Sequence, residues 1–173
     1  MGNSAIENDK KSNTPITIQN DILIGFINTN NTCYINSIVQ SLYWIKPFRE
    51  QILSLPNNLE KNTTLKGLNE LFETISKKKK SETIDIRNFV NIIKRNKKEF
   101  NNDDHHDAHE FLIWLLDSLE QNYKNENIKN KNSNQTNIIT DLFSGKQVSQ
   151  TKCLNCEKVR KNYNKFKNKF FNL

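Results

Sequence analysis

Gly25-Phe26-Ile27-Asn28-Thr29-Asn30-Asn31-Thr32-Cys33-Tyr34-Ile35-Asn36-Ser37 carries one cysteine where an Asn-rich loop passes into an apolar-periodic segment. Ile35, Ile38, Val39, Leu42 and Tyr43 recur at spacings of three and four, which predicts a helix over Cys33–Ile45 with one buried face. Thr32 stands at the N-cap position, so Cys33 falls in the first turn. Unpaired helix N–H groups and the positive dipole end stabilise a thiolate there, and the thiolate is the reactive form of cysteine. Side-chain amides in the preceding loop are suited to hydrogen-bond an oxyanion. These residues alone leave two readings open, a nucleophile or a buried structural thiol, because free cysteine also behaves as a small hydrophobe.

Outward from this stretch the pattern is mostly helical. Phe48, Ile52 and Leu55 predict a short second helix between Pro47 and Pro56. Leu65, Leu68, Leu71, Phe72 and Ile75 predict a third, capped near Thr63 or Thr64, and Asp85 opens a fourth with Ile86, Phe89, Val90 and Ile93 on one face. Asn101 to Asp104 reads as a loop, and Asp107 to about Tyr123 is the clearest helix, with Phe111, Leu112, Leu115, Leu116 and Leu119 in register. Residues 1–20 are polar and are expected to be disordered. Residues 21–173 form the domain, with an Asn/Lys-rich flexible insertion at about 122–137. After it the period changes: Gln147 to Thr151 alternates like a strand and runs into a Cys153-Leu154-Asn155-Cys156 knuckle.

Composition narrows the class. The three cysteines are an odd number, against a disulfide framework and in favour of catalytic, metal-binding or buried thiols in a reducing compartment. No stretch approaches the roughly 20 apolar residues of a membrane span, and no signal peptide is seen, so the protein is expected inside the cell, in cytoplasm or nucleus. The net charge of +7 admits a basic nucleic-acid-binding protein, but Lys77 to Lys80 lacks interleaved aromatics and reads as a solvated charge run.

The cysteine stretch resembles the cysteine box of the ubiquitin-specific proteases, Gly-Leu-x-Asn-x-Gly-Asn-Thr-Cys-Tyr-x-Asn-Ser-x-x-Gln, and Gly25, Asn28, Asn31, Thr32, Cys33, Tyr34, Asn36, Ser37 and Gln40 match it. The resemblance implies that Cys33 is the nucleophile and Asn28 the oxyanion-stabilising amide, in a cysteine peptidase that hydrolyses the bond after ubiquitin's C-terminal glycine. Asn30 replaces the family's glycine, and Asn tolerates left-handed backbone angles better than most residues. His105-His106-Asp107-Ala108-His109-Glu110-Phe111-Leu112 is similar to the family's Gln-Gln-Asp-Ala-His-Glu-Phe-Leu segment. By that resemblance Asp107 holds ubiquitin's basic C-terminal tail, as a carboxylate holds a guanidinium, and His106 and Gln40 join it as substrate-contacting residues. As a first-turn acid, Asp107 also favours the helix start itself. His105 and His109 have the four-residue spacing of helical metal ligands without a matching Cys or carboxylate set.

Ser144-Gly145 through Cys153-x-x-Cys156 looks like the start of the family's fingers, where two such pairs hold a structural zinc. Cys153 and Cys156 are then half of a site, since tetrahedral zinc takes four ligands; catalysis itself needs no cofactor. The resemblance runs from Gly25 to about Phe166 and does not reach the family's Gly-His-Tyr box. All three histidines lie between positions 105 and 109. The expectation is an α+β papain-like cysteine protease fold. This chain supplies the thumb helices and a short hairpin beginning the fingers, with an apolar face left for the rest. The partners implied are ubiquitin, ubiquitinated proteins and a second chain carrying the missing half, and activity in isolation is expected to be low. A non-catalytic ubiquitin-binding or decoy module is the alternative, and a basic helical nucleic-acid binder the second.

Overall fold

The computed structural model describes residues 24–78, 82–129 and 137–167, with the side chains of 129 and 165–167 left aside. The predicted disorder at 1–20 lies outside these residues. In chain order the elements are β1 (Gly25–Phe26), α1 (Cys33–Trp44), α2 (Lys46–Leu53), α3 (Thr64–Ser76), β2 (Thr83–Ile84), α4 (Arg87–Asn96), a 3-10 turn (Lys98–Phe100), α5 (Ala108–Lys129), α6 (Ile138–Phe143), β3 (Ser144–Lys152) and β4 (Val159–Lys167). The mostly helical architecture with a hairpin at its end is the one the periodicity predicts. No helix among the described residues is long and apolar enough to cross a membrane.

Local chemistry accounts for most boundaries. Pro47 sits in the first turn of α2, where its missing N–H costs nothing. The Thr63 hydroxyl accepts from Lys66 N at 3.2 Å and starts α3. The apolar faces then meet in one core: Ile35, Val39 and Leu42 of α1, Phe48 and Ile52 of α2, Leu65, Leu68 and Phe72 of α3, Phe89 and Ile93 of α4, and Phe111, Leu115, Leu116 and Leu119 of α5. Each such side chain contributes on the order of 1.5–3 kcal/mol when removed from water. Gly67 lets α3 press onto α4, since a Cβ there would lie 2.7 Å from Ile92 Cδ1. Buried Asn69 donates to the Ile52 carbonyl at 2.8 Å and ties α3 to the end of α2.

Three features differ from the sequence reading. β1 and β2 form a two-residue parallel pair, Gly25 against Thr83 and Phe26 against Ile84, too short to leave an alternating signature. α5 continues to Lys129, into the stretch expected to be flexible, because its last turns find partners. Asn122 accepts from Leu65 N at 3.2 Å, Gln51 donates to the Tyr123 hydroxyl at 2.7 Å, and Glu60 N donates to Glu126 at 3.1 Å. Residues 130–136 of that stretch lie outside the described residues. Asn137 then caps α6 by accepting from Ile139 N at 3.0 Å, and Ile139 is buried.

The hairpin pairs Ser144 to Lys152 with Val159 to Lys167. Among the described residues the hairpin carries exposed Val148, Leu154, Val159 and Tyr163, with Leu154 at 96 %, while Ile27, Trp44, Ile128 and Leu142 are exposed elsewhere. The helices turn most of their apolar faces on one another, so the exposed apolar surface is divided between the ribbon and scattered helical and loop positions.

Candidate active site

Cys33 is exposed on the first turn of α1, while Thr32 before it and Tyr34 after it are buried. The sulfur is therefore presented to solvent by a helix anchored on both sides of it. Thr32 occupies the N-cap position with no side-chain capping bond. Its hydroxyl instead accepts from Thr29 N at 3.2 Å and donates to Asn28 Oδ1 at 3.1 Å. The capping reading of Thr32 is corrected in that respect: its hydroxyl closes the loop and gives the first turn of α1 no side-chain cap. With Oδ1 engaged, Asn28 has its Nδ2 hydrogens left to donate, the orientation an oxyanion needs.

The loop takes two consecutive left-handed residues, Asn30 at φ 48° and Asn31 at φ 57°. Asn is among the few L residues that visit this region, which explains how Asn30 stands where the resemblance has glycine. Asn31 Nδ2 donates to the Asp103 carbonyl at 2.8 Å across 72 positions of sequence, and Asp103 Oδ1 pairs with Lys94 Nζ at 3.0 Å. Asp103 and Lys94 went unread in the sequence, and the match of Asn31 to the motif did not reveal its partner. The one local signal was the doubled Asn before the helix.

Beneath this loop the Tyr34 ring stands edge-on to His106 at 5.3 Å and to Phe111 at 5.3 Å, and Phe100 lies 5.1 Å from His106. His106 Nε2 is 2.6 Å from Asn102 Oδ1. The neighbours of Cys33 and Asp107 in sequence are thus in ring contact, which brings the Cys33 loop and the start of α5 to one corner. Asp107 caps that helix: its Oδ1 accepts from His109 N at 2.6 Å and Glu110 N at 3.4 Å. The side chain is exposed, and both of these helix amides go to Oδ1.

Burial pushes the Tyr34 phenol up to about 12, and the charge of neighbouring Cys33 adds to the rise. The unfolded phenol ionises near 10, so the stability supplied by the neutral buried ring is complete below about 10 and is lost as pH rises from about 10 to 12. Tyr34→Phe is expected to flatten the fall in urea midpoint over that window relative to the parent. An unchanged difference between the two proteins from pH 9 to 12 contradicts this.

Gln40 lies two helical turns from Cys33, about 10 Å along the axis. Its amide donates to the Ile24 carbonyl at 2.9 Å in a small hollow lined by Phe26, Tyr43, Trp44 and Ile75. The structure gives Gln40 a strapping contact onto the segment entering β1 and does not gather it into the Cys33–Asp107 corner. Cys153 and Cys156 are exposed at the hairpin turn, closed by Cys153 N donating to Lys158 O at 2.9 Å. Glu157 in the turn is left-handed at φ 57°. Backbone N–H groups of Cys156 and Asn155 point at the Cys153 sulfur and hold its thiol below the usual range. Such a knuckle suits a metal-bound thiolate, and two sulfurs fit as half of a tetrahedral set. Among the described residues no group of three or more His, Cys, Asp and Glu side chains gathers to hold an ion, so His105 and His109 join no such set.

A family model described as ubiquitin carboxyl-terminal hydrolase matches residues 24–170. Ubiquitin carboxyl-terminal hydrolase 12 of Salmo salar is 31% identical over 179 residues, covering 92% of this chain and 48% of that protein. The chain thus spans about half the length of this curated relative.

Proposed function

The chain belongs to the ubiquitin carboxyl-terminal hydrolase family, and from that premise we propose that it carries the nucleophile and the tail-binding acid of a thiol-dependent deubiquitinase. The observation that carries the proposal is an exposed thiol on the first turn of α1, at the corner it shares with the start of α5. The Cys33 thiolate attacks the carbonyl carbon of ubiquitin's C-terminal glycine. The Asn28 amide and the first-turn N–H groups receive the oxyanion. The C–N bond breaks as the amine leaves with a proton, and water hydrolyses the thioester. Asp107 Oδ2 takes a basic residue of the incoming tail, and His106, held by Asn102, lines the same approach.

The mechanism needs a base to take the thiol proton and an acid for the leaving amine. The three histidines of this sequence lie at 105, 106 and 109; His106 is already held by Asn102 among aromatic rings, and His109 follows the Asp107 cap. We place the base outside these 173 residues, so they are expected to turn over slowly by themselves while still reacting once with an electrophile. The partners proposed are ubiquitin, its conjugates and the segment, on this or a second chain, that supplies the base.

The test is a ubiquitin derivative with a thiol-reactive group in place of its C-terminal carboxylate. A covalent adduct mapped to Cys33 supports the reading. Saturable binding with no adduct supports a non-catalytic ubiquitin-binding module, and the absence of both adduct and binding overturns the functional reading.

Cys153 and Cys156 are proposed as two ligands of a structural zinc, which when bound cross-links the hairpin tip and takes no part in acyl transfer. Full four-ligand sites bind with about 10–16 kcal/mol, so two sulfurs are expected to hold the ion at roughly micromolar strength or weaker. Cobalt(II) titration of this chain should give weak thiolate-to-metal absorption that disappears in Cys153→Ser. Tight binding at a ratio of one ion per chain would show that the missing ligands come from within the 173 residues.

A further inference from the structure

We propose that Asn31 is a positioning residue for the acyl-transfer site, acting through the amide that bridges its side chain to the Asp103 carbonyl; this rests on the deubiquitinase reading above. Two left-handed residues in succession are a costly conformation for a loop and persist only where the surroundings over-determine them. Within the loop one constraint is visible, the Thr32 hydroxyl joining Thr29 to Asn28. From outside it comes the 2.8 Å bond from Asn31 Nδ2 to Asp103 O.

The far end of that bond is itself held. Asp103 pairs with Lys94 of α4 at 3.0 Å. Asn102 next to it binds His106 at 2.6 Å, and its Nδ2 donates to Asp104 Oδ2 at 2.9 Å. His106 directly precedes Asp107, whose Oδ1 caps α5. One short run, residues 102 to 107, therefore carries both the anchor for the nucleophile loop and the acid proposed to grip the substrate tail. Asn31 joins the two halves from the loop side by a hydrogen bond, beside the Tyr34–His106 ring contact beneath it. Its loss lets the Asn28 amide and the Cys33 sulfur drift relative to Asp107, without exposing core, because Asn31 is on the surface. Small displacements of reacting groups lower rates steeply.

The experiment uses the full 173-residue chain with Cys153 and Cys156 changed to serine, which leaves Cys33 as its one thiol. Asn31→Gly keeps the left-handed backbone accessible and removes the donor. Asn31→Asp keeps the shape and turns a donor into an acceptor facing a carbonyl. Lys46→Ala, which removes an exposed ion pair with Glu50 on α2, is the control. Labelling by the ubiquitin electrophile is expected to slow on the order of ten- to a hundredfold in both Asn31 variants, and by less than about twofold in Lys46→Ala. Alkylation of Cys33 by iodoacetamide, which needs neither Asn28 nor Asp107, should stay within about twofold throughout, a split that general unfolding does not produce. Labelling of Asn31→Gly at the parent rate overturns the proposal.

If the parent is not labelled at all, the functional reading fails separately, and hydrogen exchange decides the strap. The Thr29 and Asn36 amides, bonded to Thr32 in the parent, should then exchange at least about tenfold faster in Asn31→Gly. Equal exchange overturns the strap.

Discussion

Cys33→Ala is expected to abolish covalent capture by the ubiquitin electrophile and, once the base-bearing polypeptide is present, to lower hydrolysis of a ubiquitin amide on the order of 10⁴-fold or more. The size follows from the role proposed, because no other group in the corner forms the covalent intermediate. The protein should survive the change: the side chain is exposed, so no cavity opens, and alanine is the best helix former in the first turn. The melting temperature should stay within about 2 °C. Cys33→Ser is the sharper comparison, since it keeps size and polarity but replaces a thiolate by a weak alcohol nucleophile, and it should be nearly as inactive. Adduct formation persisting in Cys33→Ala, at Cys153 or Cys156, would remove Cys33 from the mechanism.

Phe100→Ala is expected to cost about 3–5 kcal/mol of stability, the largest effect of any substitution near the site. Phe100 is fully buried and meets four rings, with centroids at 5.8 Å from Tyr34, 5.1 Å from His106, 5.5 Å from Phe111 and 5.4 Å from Trp114. Its removal opens a cavity beneath both the nucleophile loop and the Asp107 cap, and it forfeits edge-to-face contacts of about 0.5–1.5 kcal/mol each. With a urea slope of about 2 kcal/mol/M, the midpoint should drop by roughly 2 M, or the chain should fail to fold. Phe100→Leu, which keeps much of the volume but loses the ring contacts, should cost about 1.5–3 kcal/mol, less than the alanine. Its folded fraction should still label more slowly, because the Tyr34 and His106 rings lose their common support. A loss below about 1 kcal/mol in Phe100→Ala would mean that the ring cluster does not hold the site.

Much of the helical part was readable because each helix writes its own period. Leu65, Leu68, Phe72 and Ile75 state α3, and Phe111, Leu115 and Leu119 state α5, whatever lies around them. The positions of Cys33 and Asp107 at helix starts were readable because the signal is carried by immediate neighbours, a polar loop followed by an apolar period. The finger hairpin was readable from alternation and the Cys-x-x-Cys turn. α6 went unread: its Asn137 cap is a local signal, but it sits at the edge of an Asn-rich run in which one more Asn carries little information.

By itself, then, the sequence determined the family, the helix faces and the place of Cys33 on a first helical turn, because periodicity and motif are properties of adjacent residues. Only tertiary structure decided the parts that join distant segments. The Thr32 hydroxyl turns to Asn28, and Asn31 reaches Asp103. Gly25 pairs with Thr83, and α5 runs past Tyr123 because Gln51 and Glu60 await it. Each of these is a hydrogen bond whose partner exists only after the core has brought two remote stretches together, and no local pattern encodes which stretches will meet.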